Sequence, residues 1–316
     1  MRIASLYRYP VKGLSPERLR SVHVATGEGF PFDRCYALLR TGVEFAPAAP
    51  VWLAKANFLM LMMHERLATL KTQFRDADKT LEINTPDERN FSFALGEAAG
   101  RSALEKFFVD FMPRQLPEPP RLLEAPGHQF TDKAQKYVSL INLASLRELE
   151  KRWGQELDPR RFRANVYIDD AEPFSELDWI GREVRLGAAK AHAAVRNGRC
   201  AATNVNPESG ERDRNVPGKL REEFGHKDLG IYLSVRAGGE LHEGDTIEVE
   251  PPGSAPARAA RAAAAAEGQF ICTACYYLFD PGNLNPPVTS PRDLPENWRC
   301  PDCGATREAV ALAGGE

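Results

Sequence analysis

Two Cys-x-x-Cys pairs stand in the last fifty residues, Cys272/Cys275 and Cys300/Cys303, the second inside Cys-Pro-Asp-Cys-Gly304. Four thiolates so spaced make a tetrahedral metal site, and an all-sulfur tetrahedron takes zinc or iron. A segment this short cannot bury enough apolar surface alone and needs a staple together with large side chains. Phe270, Tyr277, Phe279 and Trp298 supply those side chains. Zinc would make this end a structural knob. Iron would make it a one-electron carrier, and the rest of the chain would then hold something to reduce. The other two cysteines, Cys35 and Cys200, are isolated, and the opening residues lack the apolar core of a secretory signal, so no disulfide framework is expected.

The chain has 316 residues, enough for two or three domains and at least one large core. A net charge of −3 gives no field that would draw nucleic acid or an anionic membrane. The longest apolar run, near Phe58–Met63, is too short to span a bilayer. The expectation is a cytoplasmic protein with no nucleic-acid or membrane partner. Residues 251–267 are punctuated by Pro, Gly and Ser and then run through alanines without large apolar residues, which makes a tether rather than a core.

Before the tether, alternating patterns predict strands over Thr69–Phe74, Thr80–Asn84, Phe91–Leu95, Ala164–Ile168, Glu183–Leu186, Lys190–Val195, Gly230–Val235 and Thr246–Glu250. Apolar residues at helical spacing predict helices over Arg101–Phe111 and Leu143–Trp153, with Asn142 as the N-cap of the second. Short connections between many strands favour a barrel. The expected class is α+β, predominantly β, a β-barrel body carrying a small four-cysteine metal-binding domain. No GxGxxG or P-loop supports a nucleotide fold.

Cys200 follows Arg196 and Arg199 and precedes the turn Asn206-Pro-Glu-Ser-Gly210. Nearby positive charge favours thiolate, and the turn puts the thiol at a strand end where a ligand can reach it. Taken alone, such a cysteine is more often a small buried hydrophobe. Cys35 is read in that way, as core filler, and the six histidines, which show no ligand spacing, as structural or exposed.

Two resemblances sharpen these readings. The tail, with Phe279-Asp-Pro-Gly282 and Leu294-Pro-Glu-Asn-Trp-Arg-Cys-Pro-Asp-Cys-Gly304, resembles rubredoxin. That implies one iron held by Cys272, Cys275, Cys300 and Cys303, with zinc as the alternative metal, and Trp298 in a small aromatic core. Tyr276 departs from the Gly usual there, and the 24-residue spacer is shorter than the common form.

Upstream, Arg161-Phe-Arg-Ala-Asn165, Pro173-Phe-Ser-Glu-Leu-Asp-Trp-Ile-Gly181, Gly198-Arg-Cys-Ala-Ala-Thr203, Asn206-Pro-Glu-Ser-Gly210 and Gly244-Asp245 resemble the MOSC domain. Tyr9-Pro-Val-Lys-Gly13 and Phe32-Asp-Arg34 resemble its N-terminal companion barrel. The implied organisation is an N-terminal barrel domain over 1–125, a MOSC domain over 126–250, a linker over 251–267 and a rubredoxin-like domain over 268–316.

In that two-part family, which includes the mitochondrial amidoxime reducing component, the equivalent of Cys200 ligates the molybdenum of a pterin cofactor. The resemblance implies Lys12, Arg34 and Arg163 as cofactor contacts, with Asn142, Ser145, Asn165 and Arg199 as further candidates. It implies a molybdenum-dependent oxidoreductase that reduces small N-hydroxylated compounds. Electrons would come through the fused iron domain, recharged by an NAD(P)H-dependent reductase. The alternative is a sulfur- or cofactor-carrier module with a structural zinc tail. Asn206 stands where relatives commonly have Asp.

Overall fold

The structure, a computed structural model, describes residues 1–251, 269–272, 278, 279, 281, 284, 287–298, 300 and 306–312. The linker expected over 251–267 therefore lies, beyond Pro251, outside the described residues, as do Cys275, Cys303, Tyr276 and Tyr277. The chain divides into two compact units, and residues 1–53 and 57–255 form the larger.

In the larger unit the strands are β1 (Arg2–Arg8), β2 (Glu17–Leu19), β3 (Ser21–Val24), β4 (Tyr36–Leu39), β5 (Lys71–Arg75), β6 (Thr80–Asn84), β7 (Asn90–Ala94) and β8 (Arg121–Glu124), with helix α1 (Ala98–Phe111) between the last two. There follow β9 (Val138–Asn142), α2 (Leu143–Trp153), β10 (Val166–Asp169), β11 (Glu183–Leu186), β12 (Ala189–Gly198), α3 (Val216–Phe224), β13 (Asp228–Ala237), β14 (Gly239–His242) and β15 (Ile247–Val249). All eight expected strands and both expected helices are present, displaced at most a few residues at their ends, and Asn142 caps α2 by accepting from the Ala144 N–H at 3.0 Å.

One eight-stranded sheet runs in the order β15-β11-β12-β13-β9-β10-β1-β2. It curls until its ends meet. Ile3 N donates to Asp245 O at 2.9 Å, Gly244 N to Ile3 O at 2.8 Å and Ile247 N to Met1 O at 3.0 Å, so β1 is bonded to β10 on one side and to the chain entering β15 on the other. Closure of this kind removes sheet edges. The first strand of the chain is thus a stave of the barrel formed by residues 138–249, and β3 adds a second stitch by pairing with β14.

Side chains on a strand alternate between faces. Val138 and Leu140 of β9, Val166 and Ile168 of β10, and Ile231, Leu233 and Val235 of β13 fill the barrel, where they meet Ala191 and Ala193 of β12. The opposite face of the same strands is also covered. Ile141 and Tyr167 pack under Leu146 and Leu149 of α2 and Val216 and Leu220 of α3. Each such Leu, Ile or Val contributes about 1.5–3 kcal/mol. Gly230 is required where β13 meets β9, because its φ is +83° and a Cβ there would lie 2.2 Å from the Leu140 carbonyl oxygen.

A second core, built from residues 11–122 and Val205, packs β4–β8 and α1 around Phe74, Leu81, Ile83, Phe93, Leu104 and Phe108. Cys35 sits partly buried against it, its pKa pushed up by burial to about 12, as core filler would be.

In the smaller unit β16 (Phe270–Cys272) pairs antiparallel with β17 (Leu278–Phe279) and with β18 (Val310–Leu312). Phe270, Leu294 and Val310 are buried together, with Leu284, Val288 and Trp298 packed on them, so Trp298 belongs to the small core as its sequence context implies. Among the described residues no helix is long and apolar enough to cross a membrane.

Candidate active site

Three loops converge where the N-terminal residues meet the barrel, and arginines tie them together. The first follows β1 and carries Tyr9, Lys12 and Gly13. Gly13 has φ +88°, and a Cβ there would stand 3.0 Å from the Leu59 carbonyl oxygen. The second is a 3-10 turn over Pro159–Phe162, closed by Arg163 in the left-handed region at φ 53°. The third begins at Cys200, which opens a 3-10 turn over Ala201–Asn204 leading to Val205. Arg163 Nη1 donates to the Leu14 carbonyl at 2.7 Å, and Arg161 donates to the Asn204 carbonyl at 3.3 Å and to the Asp213 carboxylate at 2.8 Å.

Cys200 is half-buried, and the Thr203 hydroxyl donates to its carbonyl at 2.9 Å, fixing the turn that it starts. The preceding Arg199 is buried beneath it. The Arg199 guanidinium donates to the Leu229 carbonyl at 2.7 Å and to the Phe162 carbonyl at 3.0 Å, which locks the cysteine loop to β13 and to the Arg163 turn. Burial pulls the Arg199 pKa down.

Tyr9 is fully buried, and the guanidinium carbons of Arg34 and Arg163 lie 4.2 Å and 4.3 Å from its ring centre. Burial pushes the Tyr9 phenol up to about 12. Arg34, itself left-handed at φ 49°, donates to Asp33 at 2.6 Å and to the Arg163 carbonyl at 2.9 Å. Two non-glycine residues held at positive φ in one site are strain that surrounding bonds must hold. Lys12 is buried nearby, donating to the Phe130 carbonyl at 3.0 Å and to Asp132. Burial, with Arg34 alongside, brings the Arg163 pKa down to about 10. Two of the three cations expected to touch a cofactor, Arg34 and Arg163, are therefore brought together on the Tyr9 ring, while Lys12, from the same loop as Tyr9, lies over the Phe58 ring.

Beside them opens a cleft of about 290 Å³ whose lining includes Arg163, Arg161, Arg160, Lys71, Val205 and Pro207. Arg163 hydrogen-bonds to a backbone carbonyl and, among the described residues, to no carboxylate. Arg163, half-buried on this concave wall, offers a guanidinium that a bound anion can meet, so the residues present fit a cofactor that ends in a phosphate.

The other polar candidates are placed inside the fold. Asn165 accepts from the Ser139 N–H at 3.1 Å and donates to the Tyr7 carbonyl at 3.2 Å. Asn142 and Ser145 surround a carboxylate that sequence reasoning passed over. Glu176 is fully buried and accepts from Ser145 Oγ at 2.8 Å and from Asn142 Nδ2 at 3.2 Å, and burial raises its pKa. Only its place in the Pro173–Gly181 motif hinted at it. Glu176→Ala strands those donors and should cost about 3 kcal/mol. Glu176→Gln, which keeps the volume but turns an amide toward the donors, should cost less. Thermal denaturation checks both, and an unmoved midpoint in the alanine variant would refute the network.

Asp213 was also missed. It accepts from Arg161 and, at 2.9 Å, from Asn206 Nδ2, so a carboxylate does adjoin the position where relatives carry Asp.

The geometry can be set beside known proteins. Residues 1–111 match the family model of the MOSC N-terminal beta barrel domain, 127–248 the MOSC domain and 269–310 rubredoxin. The chain therefore carries a MOSC N-terminal beta barrel domain and a MOSC domain, followed in sequence by a rubredoxin domain. Over 118 residues it is 30% identical to mitochondrial amidoxime-reducing component 1 of Danio rerio, covering 35% of this chain and 36% of that one. Over 137 residues it is 30% identical to molybdenum cofactor sulfurase of Drosophila willistoni, covering 39% of this chain and 17% of that one. Over 45 residues it is 40% identical to a probable rubredoxin of Methanothermobacter thermautotrophicus, covering 13% of this chain and 71% of that one. The alignments thus span about a third of the length of the amidoxime-reducing components.

Proposed function

We propose that this protein is a molybdenum-cofactor oxidoreductase that reduces N-hydroxylated compounds, with electrons delivered by its rubredoxin domain. The observation that carries the reading is the pair Arg34 and Arg163 on the Tyr9 ring, with Lys12 on the same loop as Tyr9, tied through Arg199 and Arg161 to the loop of Cys200. The likeness to amidoxime-reducing components supports the reaction class.

When bound, the cofactor supplies two-electron reduction of an N–O bond, in which the N-hydroxylated base takes up two electrons and two protons and yields the amine or amidine and water. Cys200 is the thiolate that would hold molybdenum. Among the described residues no group of three or more His, Cys, Asp or Glu side chains converges as a metal site, which suits a metal that arrives with ligands of its own. Lys12, Arg34 and Arg163 would hold the pterin phosphate, for which fixed guanidinium forks are well shaped. Arg199 and Asn165 hold backbone next to these groups, at the Phe162 and Tyr7 carbonyls, whereas Asn142 and Ser145 bond Glu176. Cys272 and Cys300 are both buried, and with Cys275 and Cys303 they would hold an iron that carries one electron at a time. An NAD(P)H-dependent reductase would then replenish it.

Elemental analysis and an absorbance spectrum of the full-length protein from a cofactor-competent host test this. The expected result is molybdenum and iron in equal amounts, a red chromophore bleached by dithionite, and turnover of an amidoxime. Zinc without molybdenum in repeated preparations would overturn it and favour a sulfur- or cofactor-carrier.

A further inference from the structure

Besides Arg163, each cation of the cleft wall is met by a carboxylate, Arg18 by Glu243, Arg160 by Asp158, Arg161 by Asp213 and Lys71 by Glu208. The lining itself includes Arg18, Lys71 and Arg160 but no carboxylate. These three are the solvent-facing cations, with side chains 62%, 44% and 37% exposed, whereas Arg161 is 4% exposed. The cations of the cleft therefore differ in exposure, with Arg161 buried and Arg18, Lys71 and Arg160 open to solvent.

At the mouth, one carboxylate bridges two of the exposed cations. Glu208, 55% exposed, accepts from Lys71 at 2.6 Å through one oxygen and from Arg160 at 2.6 Å through the other. Lys71 belongs to β5 of the N-terminal part, Arg160 to the 3-10 turn ahead of Arg163, and Glu208 to the turn that follows Cys200 and Val205. The hydrogen bond from Lys71, with Arg160 adding to it, holds the Glu208 carboxyl below the usual range. Exposed pairs of this kind are weak because both partners are well solvated apart, so an incoming anion exchanges with Glu208 at little cost. Ser15 and Thr72, hydrogen-bonded to each other at 2.8 Å, add hydroxyl donors to the same wall.

We propose that the mouth of the cleft binds an anionic group of the substrate, a carboxylate or a phosphate, between Lys71 and Arg160 in the place that Glu208 takes in the structure. The inference rests on the function proposed above and narrows its substrate class to N-hydroxylated compounds that carry an anion at the far end. The distance suits a small molecule. One 3-10 turn separates Cys200 from Val205 on the cleft wall, about 10 Å at ~2 Å rise per residue.

The test compares an aryl amidoxime with its para-carboxylate on the full-length, cofactor-loaded protein, by titration calorimetry and by turnover. The carboxylate should bind a few-fold tighter, the range of a solvent-exposed charge pair. The Lys71→Ala/Arg160→Ala variant should close the gap between the two compounds, and Glu208→Gln should widen it. Pterin and molybdenum contents are measured in each variant. Equal affinities in the parent protein would overturn the proposal. Loss of pterin from the double variant would overturn it too, assigning these cations to the cofactor's own phosphate. If neither compound is turned over, the proposed function fails, while calorimetry still decides whether the anion is selected.

Discussion

Cys200→Ser is expected to remove molybdenum from the protein and to lower amidoxime reduction by on the order of a thousandfold or more. The scale follows from metal-site chemistry, in which losing a group that merely orients a ligand costs ~10–100-fold, and Cys200 is proposed as the ligand itself. The fold should survive. Cys200 is half-buried at the start of a short turn held by the Thr203 hydroxyl and by Arg199, and neither contact uses the sulfur. A midpoint shift within about 4 °C is the matching expectation. Metal analysis and activity are measured on the same preparation, so loss of metal cannot be confused with unfolding. A serine variant that keeps its molybdenum would sink the assignment.

The second large effect concerns the smaller unit. Replacing Cys272 and Cys300 by serine should abolish the iron chromophore and unfold residues 269–312. Phe270, Leu294 and Val310 are the buried apolar side chains described there, contributing about 2 kcal/mol each. Ordering the backbone costs about 1–2 kcal/mol per residue, so a core this small cannot hold the unit without its staple. Metal binding supplies the difference, on the order of 10 kcal/mol for structural tetrahedral sites. Hydrogen exchange reads the outcome directly, because the amides pairing Phe270 with Phe279 and with Leu312 should lose protection. Zinc reconstitution of the parent protein should restore protection without restoring electron transfer. Strand amides that stay protected in the double variant would show that the unit holds without metal.

Elements with a clean period were legible before the structure. β6 and β11 alternate, and α2 repeats leucines at helical spacing behind an Asn cap. The missed elements break those rules for physical reasons. β4 is buried at all four positions, Tyr36 to Leu39, so it shows no alternation. In β1 the register slips between Ile3 and Ser5, which disrupts the period. α3 opens with Val216, Pro217 and Gly218, of which Pro suits a first turn but Val and Gly have low propensity, and it is held by Asn215 accepting from the Gly218 N–H at 3.2 Å.

The sequence by itself determined the chemistry available. Two Cys-x-x-Cys pairs bound a small aromatic core, and short motifs placed Cys200 in a turn and set Lys12, Arg34 and Arg163 apart as cations of interest. Tertiary structure decided which residues meet. It drew β1 into the barrel of residues 138–249, gathered Arg34 and Arg163 on the Tyr9 ring, and enclosed Glu176 between Asn142 and Ser145. It also committed Arg199 to backbone carbonyls, a use that its place beside a cysteine does not reveal. The physical reason is the same in each case. A local window fixes period, turn chemistry and charge, whereas burial and hydrogen-bond partners are set by segments distant in sequence, 31 residues apart for Ser145 and Glu176 and 129 for Arg34 and the Arg163 carbonyl.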